Sequence, residues 1–123
     1  MKKNIWVITG GIFGLLGVAL GAFGAHGLKN ILSPELLESY KTGVLYELIH
    51  ASVILVIGLT GSGRFFKAAM FLSIGIMLFS FSLYAYSLTE LKFFAMLTPI
   101  GGVFFLIGWV LIIVGGFFIN KVK

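Results

Sequence analysis

The chain has 123 residues, of which 59% are apolar and only 11% charged, with a net charge of +5 and a mean hydropathy of +1.12. Soluble domains carry about 25% charged residues, so a water-soluble globule and a disordered tail are excluded. A nucleic-acid partner is excluded too: it needs a basic face interleaved with exposed aromatics, and the aromatics here lie inside apolar runs.

Four apolar runs follow one another: Asn4 to Ala25, Thr42 to Thr60, Ala68 to Thr89, and Phe93 to Asn120. A bilayer core about 30 Å thick takes roughly 20 helical residues per crossing, and a helix satisfies its own backbone in lipid. The sequence therefore predicts one domain over residues 1–123, all-α, an integral membrane four-helix bundle. Its helices are expected at about 4–26, 42–60, 68–89 and 98–119.

The first run follows Met1-Lys2-Lys3, as in a signal peptide, but its apolar core exceeds the usual h-region of about 7–15 residues, so it reads as an uncleaved helix. Gly10, Gly14, Gly17, Gly21 and Gly24 share one face, which lets helix backbones approach closely in lipid. In the loop from His26 to Lys41, Ser33-Pro34 has the form of an N-cap with proline at the first helical position. Leu36, Leu37, Tyr40 and Val44 then predict a short interfacial helix running into helix 2. Helix 2 carries Gly43, Glu47, Ala51, Ile54 and Gly58 on one stripe, and Glu47 and His50 are its only strongly polar ionisable groups. Gly61-Ser62-Gly63-Arg64 predicts a tight turn and lacks the Gly-Lys-Ser/Thr ending of a phosphate loop. Helix 3 presents Ala69, Ser73, Ser80 and Ser87. Thr98-Pro99 repeats the capping pattern and predicts the start of helix 4, the alternative being one longer helix kinked at Pro99. Gly101, Gly108 and Gly115 lie on one face of that helix.

Orientation follows from the basic residues. Lys2 and Lys3, then Arg64 and Lys67, then Lys121 and Lys123 occupy segments without acids, whereas Lys29, Lys41 and Lys92 are balanced by Glu35, Glu38 and Glu90. Both termini are expected to face the cytoplasm, with the chain crossing the membrane several times.

Ionisable groups inside lipid are costly and by default suggest function. Counted from Thr42 at about 1.5 Å per residue, Glu47 and His50 lie roughly 8 and 12 Å deep. With Tyr46 they join His26, Ser80, Ser82, Tyr84 and Thr98 in an expected polar cluster in the outer half of the bundle. The structural alternative is that Glu47 and His50 hydrogen-bond each other, Tyr84 or Ser82. His26, Glu47 and His50 form no recognised metal motif, and Ser80 or Ser82 with His50 and Glu47 lacks a nucleophile elbow. With no cysteine, thiolate chemistry is absent.

At these residues the chain resembles the small membrane proteins grouped as domain of unknown function 423, the YgdD/YwdK-like uncharacterised (UPF-type) family, to which transmembrane protein 256 of animals is similar. The matching stretches are Gly21-Ala22-Phe23-Gly24-Ala25-His26, Thr42-Gly43 with Tyr46 and His50, Leu78-Phe79-Ser80 with Ser82-Leu83-Tyr84, Thr98-Pro99-Ile100-Gly101-Gly102, and Gly108-Trp109. Phe81 stands where the family pattern has glycine, and Glu47 where a neutral glutamine is more familiar. The resemblance implies a four-helix protein of the bacterial cytoplasmic membrane and no established activity, substrate or catalytic residue. The expectation is a binding or interaction module rather than an enzyme, without a cofactor, whose partners are membrane lipids, a second copy or another membrane protein. The alternatives are an oligomeric transporter or channel, and a membrane enzyme at the outer leaflet.

Overall fold

The computed structural model describes residues 2–119. Five α-helices follow one another: α1 (Ile5–Gly27), α2 (Pro34–Thr60), α3 (Phe66–Gly75), α4 (Phe81–Thr89) and α5 (Lys92–Phe117). A π-helical turn, Ile76–Ser80, joins α3 to α4, and a 3-10 turn, Gly63–Phe65, leads into α3. The chain from Gly63 to Thr89 is therefore one span, and there are four helical spans long and apolar enough to cross a membrane.

Local chemistry sets the start of α1 and both ends of α2. The side chain of Asn4 accepts the Val7 N–H at 3.2 Å and donates to the Gly58 carbonyl at 2.8 Å, so one residue caps α1 and ties it to the end of α2. Ser33 accepts the Leu36 N–H at 3.2 Å with Pro34 in the first turn, satisfying a donor that the helix start leaves over. No separate interfacial helix precedes the second span: Pro34 to Thr60 is one uninterrupted α-helix. It ends at Gly61, whose φ of 69° is the left-handed region that glycine adopts without steric cost.

The last span departs from the expected start at Thr98-Pro99. α5 begins at Lys92 and carries Pro99 in its interior. Rather than capping, the Thr98 hydroxyl lies 2.6 Å from the Ser82 hydroxyl of α4 and 3.4 Å from the Phe94 carbonyl. Proline has no N–H, so its own turn loses one bond; contact with α4 and the apolar flank on both sides favour continuing the helix.

α1 lies along α2, and α5 lies along α3, the π turn and α4. α2 also packs on α3 and α4, and the core gathers Phe13, Ala51, Ile54, Ala69, Leu72 and Ile76 with Phe105. Large apolar side chains of α1 and α5 that face outward, such as Leu15, Phe23, Leu106 and Phe117, form an exposed apolar surface. Lys2, Lys3, Arg64 and Lys67 lie at the end of the bundle that carries Asn4; Lys121 and Lys123 are outside the described residues.

The glycines divide by what they touch. A Cβ on Gly10 would meet the Leu55 backbone at 2.7 Å, one on Gly17 the Leu48 side chain at 2.7 Å, and one on Gly21 Val44 at 3.0 Å. Gly24 is covered by the Tyr40 ring, Gly101 by the Leu78–Phe79 backbone, Gly108 by Leu72 and Gly115 by Phe65. Gly14, which belongs to the same sequence stripe, has nothing within 4 Å.

Candidate functional site

The polar side chains do not form one cluster. They resolve into separate pairs, each across a different helix contact. Glu47 of α2 is fully buried, and its Oε1 accepts the Tyr84 hydroxyl of α4 at 2.7 Å. Gly43, one turn earlier, makes room for this pair, because a Cβ there would lie 2.7 Å from the Tyr84 ring and 3.1 Å from the Ser80 carbonyl. On the other side, a Cβ on Gly17 would stand 3.5 Å from the Glu47 Cγ, so α1 closes over the carboxyl stem. The Tyr40 ring packs at a tilt against the Tyr84 ring, centroids 5.1 Å apart, and its hydroxyl donates to the Leu20 carbonyl at 2.7 Å. Two buried polar atoms here have no protein partner, Glu47 Oε2 and Ser80 Oγ. Ser80 ends the π turn, a distortion often found at functional positions.

The second pair is Ser82 with Thr98, which joins α4 to α5. The third involves His50, only 3% exposed. Its Nε2 lies 3.0 Å from the Trp109 Nε1 of α5, and its Nδ1 lies 2.7 Å from the Tyr46 carbonyl. An indole N–H can only donate. Nε2 is therefore the acceptor, and Nδ1 carries the proton that it gives to Tyr46. Both ring nitrogens are occupied by the fold. The imidazole also stacks on Phe105, centroid to centroid 3.7 Å. His50 thus pairs with Trp109 and not with Glu47, although the two share α2. His26 is exposed near the end of α1 and joins none of these pairs. Among the described residues no three of His, Cys, Asp and Glu come together as a metal cluster.

The His50–Trp109 bond spans a gap. α2 and α5 meet mainly through side chains, and the space between them is a groove of about 430 Å³, open to the side. Its floor is His50, Phe79 and Phe105. Its rim is Tyr46, Ile49, Leu106 and Trp109, with Gly102 leaving part of the wall low. Tyr46 packs at a tilt on Phe79, centroids 4.6 Å apart, and stays 38% exposed. Sequence reasoning pointed to Tyr46 and His50 but missed Phe79, Phe105 and Trp109 as their neighbours. A signal was available: His50 lies 16 residues into α2 and Trp109 17 residues into α5. The two helices run in the same direction, so their ring nitrogens reach the same depth.

Four apolar spans with few charges and with internally paired polar side chains define a multi-pass membrane protein. A family profile described as protein of unknown function (DUF423) matches residues 20–102. The chain is 41% identical over 116 residues to the UPF0382 membrane protein YwdK of Bacillus subtilis (strain 168), covering 90% of this chain and 94% of that protein. It is 39% identical over 119 residues to the UPF0382 inner membrane protein YgdD of Escherichia coli (strain K12), covering 94% and 91% respectively. The chain belongs to the DUF423 family of membrane proteins, for which no activity is established. No solved structure matches it.

Proposed function

We propose that this protein is a binding module of the cytoplasmic membrane that holds the hydrocarbon chain of a membrane amphiphile in the groove between α2 and α5. The observation that carries this reading is the groove itself: about 430 Å³, open sideways, floored by the packed rings of His50, Phe79 and Phe105, with the His50–Trp109 bond linking α2 to α5. Ligand sites of roughly 300–1,000 Å³ with apolar walls and a few polar groups are the usual form of a small-molecule site. The outward side chains Leu45, Ile49 and Leu106 place the mouth of the groove against lipid, and the exposed phenol of Tyr46 offers one polar contact.

In this reading the protein binds and does not catalyse. Ser82 is committed to Thr98, and both nitrogens of His50 are committed to Tyr46 and Trp109, so neither supplies a nucleophile with its base. The basic Lys2, Lys3, Arg64 and Lys67 at one end of the bundle support an orientation with that end in the cytoplasm.

Gly102 provides the test. A Cβ there meets nothing within 4 Å, so Gly102→Trp fills the groove without disturbing the bundle. Wild type and variant are purified in mild detergent, and co-purifying lipids are quantified by mass spectrometry. The expected result is one amphiphile retained per wild-type chain and its loss in the variant. Equal retention in both refutes the reading. A co-purifying membrane protein displaced by the variant, with lipid unchanged, would transfer the groove to a partner helix.

A further inference from the structure

We infer that Glu47, with Ser80 and Tyr84, forms a binding site for an exchangeable monovalent cation, a proton or an alkali ion, inside the membrane-spanning bundle. The site is independent of the α2–α5 groove, because it lies on the opposite contact of α2, between α1 and α4. The inference starts from charge. Glu47 is 0% exposed. Its hydrogen-bond partner is the uncharged Tyr84 hydroxyl on Oε1, and its Oε2 has none. The imidazole of His50, one turn on, is held by Tyr46 and Trp109. Among the described residues no cationic side chain pairs with the carboxylate. An unpaired charge in a dry apolar interior costs several kcal/mol even after relaxation, far more than one hydrogen bond of about 1 kcal/mol returns. The carboxyl must be neutralised, and what neutralises it comes from outside the chain.

The surrounding oxygens fit such a role. Ser80 Oγ is the second buried polar atom without a partner. It lies on the strip of chain that packs against Gly43 and Glu47, as the Ser80 carbonyl and the Tyr84 ring beneath Gly43 show. In a regular helix a buried serine commonly donates to the carbonyl four residues earlier, as Ser73 does to Ala69 at 2.8 Å. At Ser80 the π turn changes that register, and the Ile76 carbonyl instead accepts the Phe81 N–H. The hydroxyl is left without a partner on the stretch of chain that packs against Gly43. Tyr40 and Tyr84 are the titratable groups that face Glu47 from its own helix and from α4; α1 brings Gly17 against its stem.

The test is infrared difference spectroscopy on the full chain in liposomes, comparing wild type with Glu47→Gln while the buffer is exchanged between choline, sodium and potassium chloride. A protonated-carboxyl band that disappears in the variant and ignores the salt identifies the proton. A conversion from the protonated to the ionised band on adding sodium or potassium identifies the alkali ion. A Glu47 carboxylate that remains ionised in choline alone overturns the proposal. Should Glu47→Gln fail to fold, the wild-type spectrum still decides, because the other carboxylate side chains, Glu35, Glu38 and Glu90, are all exposed. Ser80→Ala supplies the second readout: it is expected to shift the protonated band, or to raise the half-converting sodium concentration about tenfold, one hydrogen bond to a charged group. No change in either removes Ser80 from the site.

Discussion

The substitution Gly10→Ala should loosen α1 from α2, while the same change one turn later, Gly14→Ala, should leave the bundle nearly unaltered. At Gly10 the added methyl would stand 2.7 Å from the Leu55 nitrogen, 2.9 Å from its Cα and 3.0 Å from the Ala51 oxygen. Relaxed carbon contacts need about 3.5–4.0 Å, and the opposing atoms are backbone. The two helices must therefore part locally by close to 1 Å, and overpacking of this kind costs about 1–3 kcal/mol. α1 depends on that seam, since it packs mainly along α2. In water an alanine would return about 1 kcal/mol of helix propensity. In a bilayer the separated helix stays helical, because its backbone has no other partners, so little of that gain applies. The expected net loss is about 1–3 kcal/mol for Gly10→Ala and within about 0.5 kcal/mol of zero for Gly14→Ala, whose Cβ meets nothing within 4 Å. Reversible unfolding in mixed micelles reads both. Equal losses at the two positions would refute the claim that close backbone approach, rather than the stripe of small residues as such, holds α1 in place.

Two further outcomes follow from the paired polar groups. Nitrogen-15 NMR should find His50 protonated on Nδ1 and not on Nε2, and Trp109→Phe, which strands a buried acceptor, should cost about 1–3 kcal/mol; a proton on Nε2 in the wild type would contradict the assigned bond. A double-mutant cycle of Ser82→Ala with Thr98→Val should give a coupling near 0.6 kcal/mol and below about 1.7 kcal/mol, the range for hydrogen bonds between membrane helices; zero coupling would mean the 2.6 Å contact contributes nothing.

The amino-acid sequence by itself determined the spans, because length and hydropathy decide which segments enter lipid and a helix needs no partner to satisfy its backbone there. It determined the start of α2 as well, since a serine cap followed by proline is a local device. The identical signature at Thr98-Pro99 shows where local reading stops: α5 runs through it, and the Thr98 hydroxyl meets Ser82 on another helix instead of capping. Tertiary structure alone decided which polar groups meet. Glu47 and His50 lie three positions apart on α2, yet one turns to Tyr84 and the other to Trp109. It also decided that Gly14 stands open while Gly10 touches backbone. These outcomes depend on the distance and rotation between helices, and a π turn in the middle of the third span resets that rotation by one residue, which a pattern of small and apolar side chains cannot encode.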